Sequence, residues 1–235
     1  MSRSALITGG AKRIGRDIAL ALARRGFNIA LHYNTSKNEA EVLASEIEST
    51  GMKCALFQAD FLNQVELEFL IKNVICTFPD LELLINNASV FEKSDFRDTS
   101  PDLFHRQFQI NLNTPYFLLR DFSNSCQGHV INILDSRIDT SDHKYCAYTL
   151  SKKCLRDLTF MAAKELAPQI RVNAIAPGLI LPPLGETEAY LEKSVTSVPM
   201  KKKGQIQDIL GAIEFLLNQT YVTGQVIYVD GGRHL

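Results

Sequence analysis

The sequence predicts an α/β fold, a single domain built on a doubly wound parallel sheet, and three observations predict it. Short β-branched and apolar runs alternate with longer amphipathic stretches along the whole chain. The apolar runs are mostly continuous rather than strictly alternating, which fits strands covered on both faces. The first run breaks into a glycine-rich turn that opens onto a helix, the arrangement of a strand–helix–strand unit.

Bulk properties narrow the field. The chain has 235 residues, 46% of them hydrophobic, enough for one large core. A net charge of −1 gives no reason to expect nucleic acid or an anionic membrane as partner. No apolar run approaches the roughly 20 residues of a membrane helix, and no basic stretch precedes a hydrophobic one as in a secretion signal. A cytoplasmic location is therefore the default. The five cysteines are scattered, with no Cys-x-x-Cys pair, so free buried or half-buried thiols are expected and no metal site.

Taken in order, the strand at 4–8 ends at Thr8-Gly9-Gly10-Ala11-Lys12-Arg13-Ile14-Gly15. Glycines there let the backbone approach a pyrophosphate, and the following helix offers N–H groups to negative charge. The helix at 14–25 carries Ile14, Ile18, Ala19 and Leu22 on one face and stops at Gly26. The strand at 28–32 leads into Tyr33, Asn34 and Thr35, with no carboxylate before Glu39. An acidic residue there would repel a ribose 2′-phosphate; hydroxyls, Lys37 and the planar fork of Arg13 suit one, so NADPH is expected. After the helix at 38–49, the strand at 54–58 leads to Asp60 and Phe61, where Asp60 is a candidate N-cap of the helix at 65–77. The strand at 83–86 runs into Asn87, Ala88 and Ser89, small enough for a nucleotide to pass close. Phe91 follows, either a core ring or a face for a flat heterocycle.

One helix is expected over 103–123, containing Asn111, and then a strand over 129–134 ending at Asp135-Ser136. Tyr148 and Lys152, spaced i, i+4, share a face of the helix at 148–166. An ammonium beside the phenol would lower its pKa and fit it for proton transfer. The strand at 171–175 precedes Pro177, Gly178 and Ile180. Residues 179–203 are the least regular segment, a substrate flap or a plain surface loop with three solvated lysines. A helix at 206–217 and a strand at 225–229 complete the chain.

Several of these motifs resemble the short-chain dehydrogenase/reductase family, in order and over nearly the whole chain. The turn 8–15 resembles the family's Thr-Gly-x-x-x-Gly-x-Gly, with Arg13 in place of the middle glycine, as in the pteridine reductase and dihydromonapterin reductase branch. Asn86-Asn87-Ala88-Ser89-Val90-Phe91, Asn111, Tyr148-Thr-Leu-Ser-Lys152, Ile175-Ala176-Pro177-Gly178 and the ending around Asp230-Gly-Gly also match. The resemblance implies a seven-stranded Rossmann sheet, a cofactor site including Gly9, Lys12, Ile14 and Asp60, and a homotetramer. It also implies a catalytic set of Asn111, Tyr148 and Lys152, with Asn111 fixing a helix bulge and a water leading to Lys152, and with Asp135 where most members carry serine. A carboxylate would repel charge growing on a ketone oxygen but accept hydrogen bonds from the amino and ring N–H groups of a pterin. The resemblance thus implies NADPH-dependent reduction of a dihydropterin, with Arg13, Ser89, Phe91, Asp135 and Tyr148 toward the substrate and Phe91 stacked on the pterin. Two alternatives stand beside it. One is a 3-oxoacyl-carrier-protein or other carbonyl reductase in which Asp135 is only a strand-end cap and Ser136 is the catalytic hydroxyl. The other is a non-catalytic NADP-binding sensor.

Overall fold

The computed structural model describes residues 3–141, 143–183 and 185–235. Seven strands form one parallel sheet in the order β3-β2-β1-β4-β5-β6-β7. They are β1 (Ser4–Ile7), β2 (Asn28–Tyr33), β3 (Cys54–Gln58), β4 (Leu81–Asn86), β5 (Gly128–Ile133), β6 (Ile170–Pro177) and β7 (Val226–Val229). The expected strands are all present, with ends displaced by no more than two residues. The chain order reverses between β1 and β4, and a cleft opens there at the carboxyl edge, as the topology requires.

Helices α1 (Arg13–Arg24), α2 (Lys37–Glu48) and α3 (Gln64–Thr77) follow the first three strands. Side-chain alternation along the strands explains the two layers. Ala5, Ile7, Ile29, Leu31 and Ile131 face α1, α2 and the C-terminal helix α8 (Ile206–Asn218) on one side. Leu6, Ala30, Leu84, Val130 and Val172 face α3, α5 (Thr114–Ser125) and α6 (Cys146–Leu166) on the other. Strands sandwiched in this way must be apolar at nearly every position, which is why they read as continuous runs. Gly26 takes φ +84 beyond α1, the left-handed stop its lack of a Cβ permits. Among the described residues no helix is long and apolar enough to cross a membrane.

Three expectations are corrected. The helix expected over 103–123 is two helices, α4 (Pro101–Phe108) and α5, separated by a π-helical turn, Gln109–Asn113. The segment 179–203 is not irregular throughout: it contains α7 (Glu188–Val195), whose Leu191 packs with Leu179 and Val198 in a small cluster of its own. Its three lysines are exposed, as expected, and Lys203 pairs with Glu188 at 2.6 Å. All five cysteines are free, but Cys76 and Cys154 are exposed rather than buried.

Candidate active site

The cleft at the carboxyl edge measures about 590 Å³ and is lined by every residue expected to hold cofactor or substrate. Its floor is the turn after β1. Thr8 Oγ1 accepts the N–H groups of Asn87 and Ala88 at 2.9 and 3.0 Å, and Asn87 Nδ2 donates to the carbonyls of Thr8 and Gly9. This stitching brings two backbones so close that a Cβ on Gly9 would lie 3.0 Å from Ala88 Cα. One on Gly15 would lie 2.5 Å from the Gly9 carbonyl oxygen. Gly9 also sits at φ +59. Arg13, in the place of the family's middle glycine, keeps the left-handed conformation at φ +55. A non-glycine residue there is strained. Its guanidinium donates to the Pro182 carbonyl at 2.6 Å, reaching across to the segment after β6.

The adenosine end divides by exposure. Tyr33 is buried, Asn34 and Thr35 are exposed, and Glu39 is paired with Lys12 at 2.6 Å, which holds that carboxyl below its ordinary range. His32, not singled out from the sequence, lies beneath the turn. Its Nδ1 accepts the Gly9 N–H at 3.0 Å, its Nε2 lies 3.0 Å from the Ala59 carbonyl, and its ring stacks on Phe61 at 4.2 Å. That pattern requires the neutral Nε2–H tautomer, and burial pushes the imidazole down to about 4. Asp60 is not the cap of α3: Asn63 fills that role, while Asp60 accepts the Leu62 N–H and lines the cleft.

Asp135 serves two purposes. Its Oδ1 accepts the Arg137 N–H at 2.8 Å, capping a single 3₁₀ turn, and its Oδ2 accepts the Tyr148 hydroxyl at 2.9 Å inside the cleft. Ser136 is buried outside the lining, and its hydroxyl has no partner among the described residues. The alternative that turns Ser136 inward is therefore contradicted. Lys152 is buried behind Tyr148 and donates to the Ile133 carbonyl at 2.8 Å; burial pulls its ammonium down to about 8. The expected lowering of the Tyr148 pKa is also contradicted. Burial and then the Asp135 carboxylate push the phenol well above its ordinary value, and the ammonium, 6.0 Å from the ring centroid, does not offset them.

Asn111 lies on the π-helical turn, fully buried and outside the lining. Its Oδ1 accepts from Ser89 Oγ and the Val90 N–H, each at 2.9 Å, while Nδ2 donates to the Val90 carbonyl and to Ser151 Oγ. It therefore fixes the β4 loop against α6 next to Lys152. Phe91 stacks on Tyr145 at 4.3 Å and meets Tyr148 edge-on at 4.7 Å, so its ring is part of an aromatic wall. Pro177, Gly178 and Ile180 close the side nearest β7, where a Cβ on Gly178 would strike Asp230 Cα at 2.6 Å. Sequence reasoning missed Arg137, Tyr190 and Arg233, which complete the lining at this end. The signal for Arg233 was its place directly after Gly231-Gly232.

The donor set fits a dinucleotide phosphate. The first turn of α1 carries no acidic residue, Lys12 and Arg13 open the helix with positive charge, and Gly9, Gly10 and Gly15 put no side chain in the way of the approach.

Comparison with known proteins agrees. The model of the family described as enoyl-(acyl carrier protein) reductase matches residues 9–234. A 3-oxoacyl-[acyl-carrier-protein] reductase of Staphylococcus aureus is 31% identical over 244 residues, covering 100% of this chain and 99% of the relative. A dihydromonapterin reductase of Citrobacter koseri is 30% identical, covering 98% of this chain and 96% of the relative. Among solved structures, alternative dihydrofolate reductase 1 from Brucella suis, in complex with NADP, superimposes with a TM-score of 0.94. It is 35% identical and the match covers 99% of this chain and 95% of that one.

Proposed function

This chain belongs to the short-chain dehydrogenase/reductase family, and from that premise we propose that it reduces a 7,8-dihydropterin to the tetrahydro form with NADPH. The observation that carries the proposal is the carboxylate of Asp135, turned into the cleft with a phenol on one oxygen. An ionised carboxylate has about four acceptor sites, and two are taken by Tyr148 and the Arg137 N–H. The two that remain match the adjacent amino and ring N–H donors of a pterin, whereas a ketone brings only an acceptor. The similarity to dihydromonapterin reductase and to the NADP-bound alternative dihydrofolate reductase supports the same substrate class.

Gly9, Lys12, Arg13 and Ile14 would hold the phosphates, with Tyr33, Asn34, Thr35, Asp60 and Phe61 around the adenosine and Pro177, Gly178 and Ile180 beside the nicotinamide. When bound, NADPH supplies the hydride. Reducing one ring C=N bond also consumes a proton, and Tyr148 holds that proton. Its raised pKa keeps the phenol neutral until the ring nitrogen gains basicity, and the hydrogen bond to Asp135 keeps it aimed at the cleft. Lys152 sets the positive charge of the proton's surroundings, and Asn111 holds the loop carrying Ser89 in register with α6. Phe91 presents the aromatic wall against which a flat ring packs, and residues 179–203 serve as the substrate flap. The working form is proposed as a homotetramer; Phe104 on α4 and Tyr116 on α5 are exposed rings that such an assembly would cover, and sedimentation tests it.

The test is NADPH oxidation measured side by side with dihydromonapterin, dihydrobiopterin, dihydrofolate and an acetoacetyl thioester. Turnover of a dihydropterin supports the proposal. Turnover of the thioester alone replaces it with 3-oxoacyl reduction, the activity of the Staphylococcus relative, and NADPH binding without turnover of any of them replaces it with a sensor.

A further inference from the structure

We infer that Arg233 is a specificity-determining residue that grips an anion, a carboxylate or a phosphate, on the side chain of the dihydropterin; the inference rests on the substrate class proposed above.

The chain tail is folded back to reach the cleft. Gly231 and Gly232 take φ +65 and +84, and the Asp230 carboxylate accepts the N–H groups of Gly232 and His234 at 2.9 and 2.8 Å. This turn delivers the half-buried Arg233 side chain to the same lining as Asp135, Arg137 and Tyr190. The guanidinium has no ion pair among the described residues. Of the acids nearby, Glu92 is gripped by both arms of Arg106 and Asp230 by the tail itself, while in the proposed complex Asp135 gives its remaining acceptors to the pterin ring.

The surroundings of Arg233 make that lack costly. Burial and the positive charge of Arg137 both depress its pKa, and the pull of Asp135 only partly opposes them. A guanidinium taken partly out of water beside a second cation is electrostatically incomplete, and an arriving anion both pairs with it and relieves the repulsion. A neutral polyol chain would leave this charge as it is. Because Asp135 and Phe91 engage the ring in the proposed complex, the anion must be carried by the substituent rather than by the pterin itself.

The experiment compares three 7,8-dihydropterins in steady-state assays: the neutral 6-hydroxymethyl compound, its phosphate ester, and dihydrofolate with its carboxylate tail. Wild type, Arg233→Gln and Arg233→Lys are measured with saturating NADPH. Wild type should use at least one anionic substrate with kcat/KM about tenfold or more above the neutral compound, as loss of one charge-assisted pair implies. Arg233→Gln should erase that preference by raising KM for the anionic substrates, and Arg233→Lys should restore part of it. Preference for the phosphate ester alone identifies a phosphate as the partner, and preference for dihydrofolate alone a carboxylate; either supports the inference. Equal use of neutral and anionic substrates by wild type, or a preference that survives in Arg233→Gln, overturns the role of Arg233 and leaves dihydropterin reduction standing. Failure to turn over any dihydropterin overturns both.

Discussion

Asp135→Asn removes a charge from the cleft while preserving shape, and its consequence can be worked from the geometry. The carboxylate spends one acceptor site on the Arg137 N–H and one on the Tyr148 hydroxyl, leaving two for the substrate. An amide keeps one oxygen and puts an NH₂ in place of the other, so one charge-assisted bond to the pterin is lost at the least, together with the acceptor used by the Tyr148 hydroxyl or the Arg137 N–H. Such a bond contributes about 1.5–3 kcal/mol, which corresponds to roughly ten- to 150-fold in kcat/KM. Tyr148 should respond as well: part of what holds its pKa up is the Asp135 charge, so its pKa should fall in the variant. The assay is the initial rate of NADPH absorbance loss with a 7,8-dihydropterin, alongside a fluorescence titration of NADPH. The expected result is the stated loss in kcat/KM with NADPH affinity unchanged within about twofold. A variant that reduces dihydropterin as well as wild type would refute the reasoning.

Further outcomes follow from the same geometry. The kcat/KM of the wild type should fall as pH rises through about 8, where Lys152 loses its proton, and Lys152→Arg should abolish that limb; an unchanged limb in the variant would contradict it. His32 and His129 are held neutral by burial, their values pushed down to about 4 and about 3. Because the unfolded chain protonates both near 6.5, their contribution to stability is complete above that pH and declines as pH falls toward 4. The loss at pH 4 is about 3 kcal/mol for each. Urea unfolding at neutral and acidic pH should show this slope, and His32→Gln combined with His129→Gln should flatten it; equal slopes would contradict it. Gly9→Ala places a Cβ 3.0 Å from Ala88 at a left-handed φ, so NADPH affinity should fall about tenfold or more, and an unchanged titration would count against the close approach of this turn.

Much of this was legible because parallel strands leave a simple record. Ala5 and Ile7 belong to one layer and Leu6 to the other, so β1 reads as an unbroken apolar run ending in glycines. Tyr148 and Lys152 were visible as a helical pair. What escaped depends on contacts between distant parts of the chain. The π-helical turn leaves the apolar rhythm of 103–123 nearly intact, so periodicity alone reads one helix; the bulge was implied only by the family resemblance at Asn111, whose bonds to Val90 and Ser151 hold it. Helix α7 spans eight residues with Leu191 as its buried anchor, too short for periodicity to register. The direction of the Tyr148 shift comes first from burial and then from Asp135, thirteen residues earlier, neither of which i, i+4 spacing with Lys152 reveals. Arg233 meets the cleft only because β7 lies beside β6 and the tail doubles back.

The most direct test is a crystal structure of the complex with NADP and an unreactive pterin analogue. Both free acceptor positions of the Asp135 carboxylate should lie within hydrogen-bond distance of the pterin amino and ring N–H groups, with the Tyr148 hydroxyl still on Oδ2. A pterin bound without touching Asp135, or a cleft that admits no pterin while Ser136 swings its hydroxyl inward, would contradict dihydropterin reduction at this site.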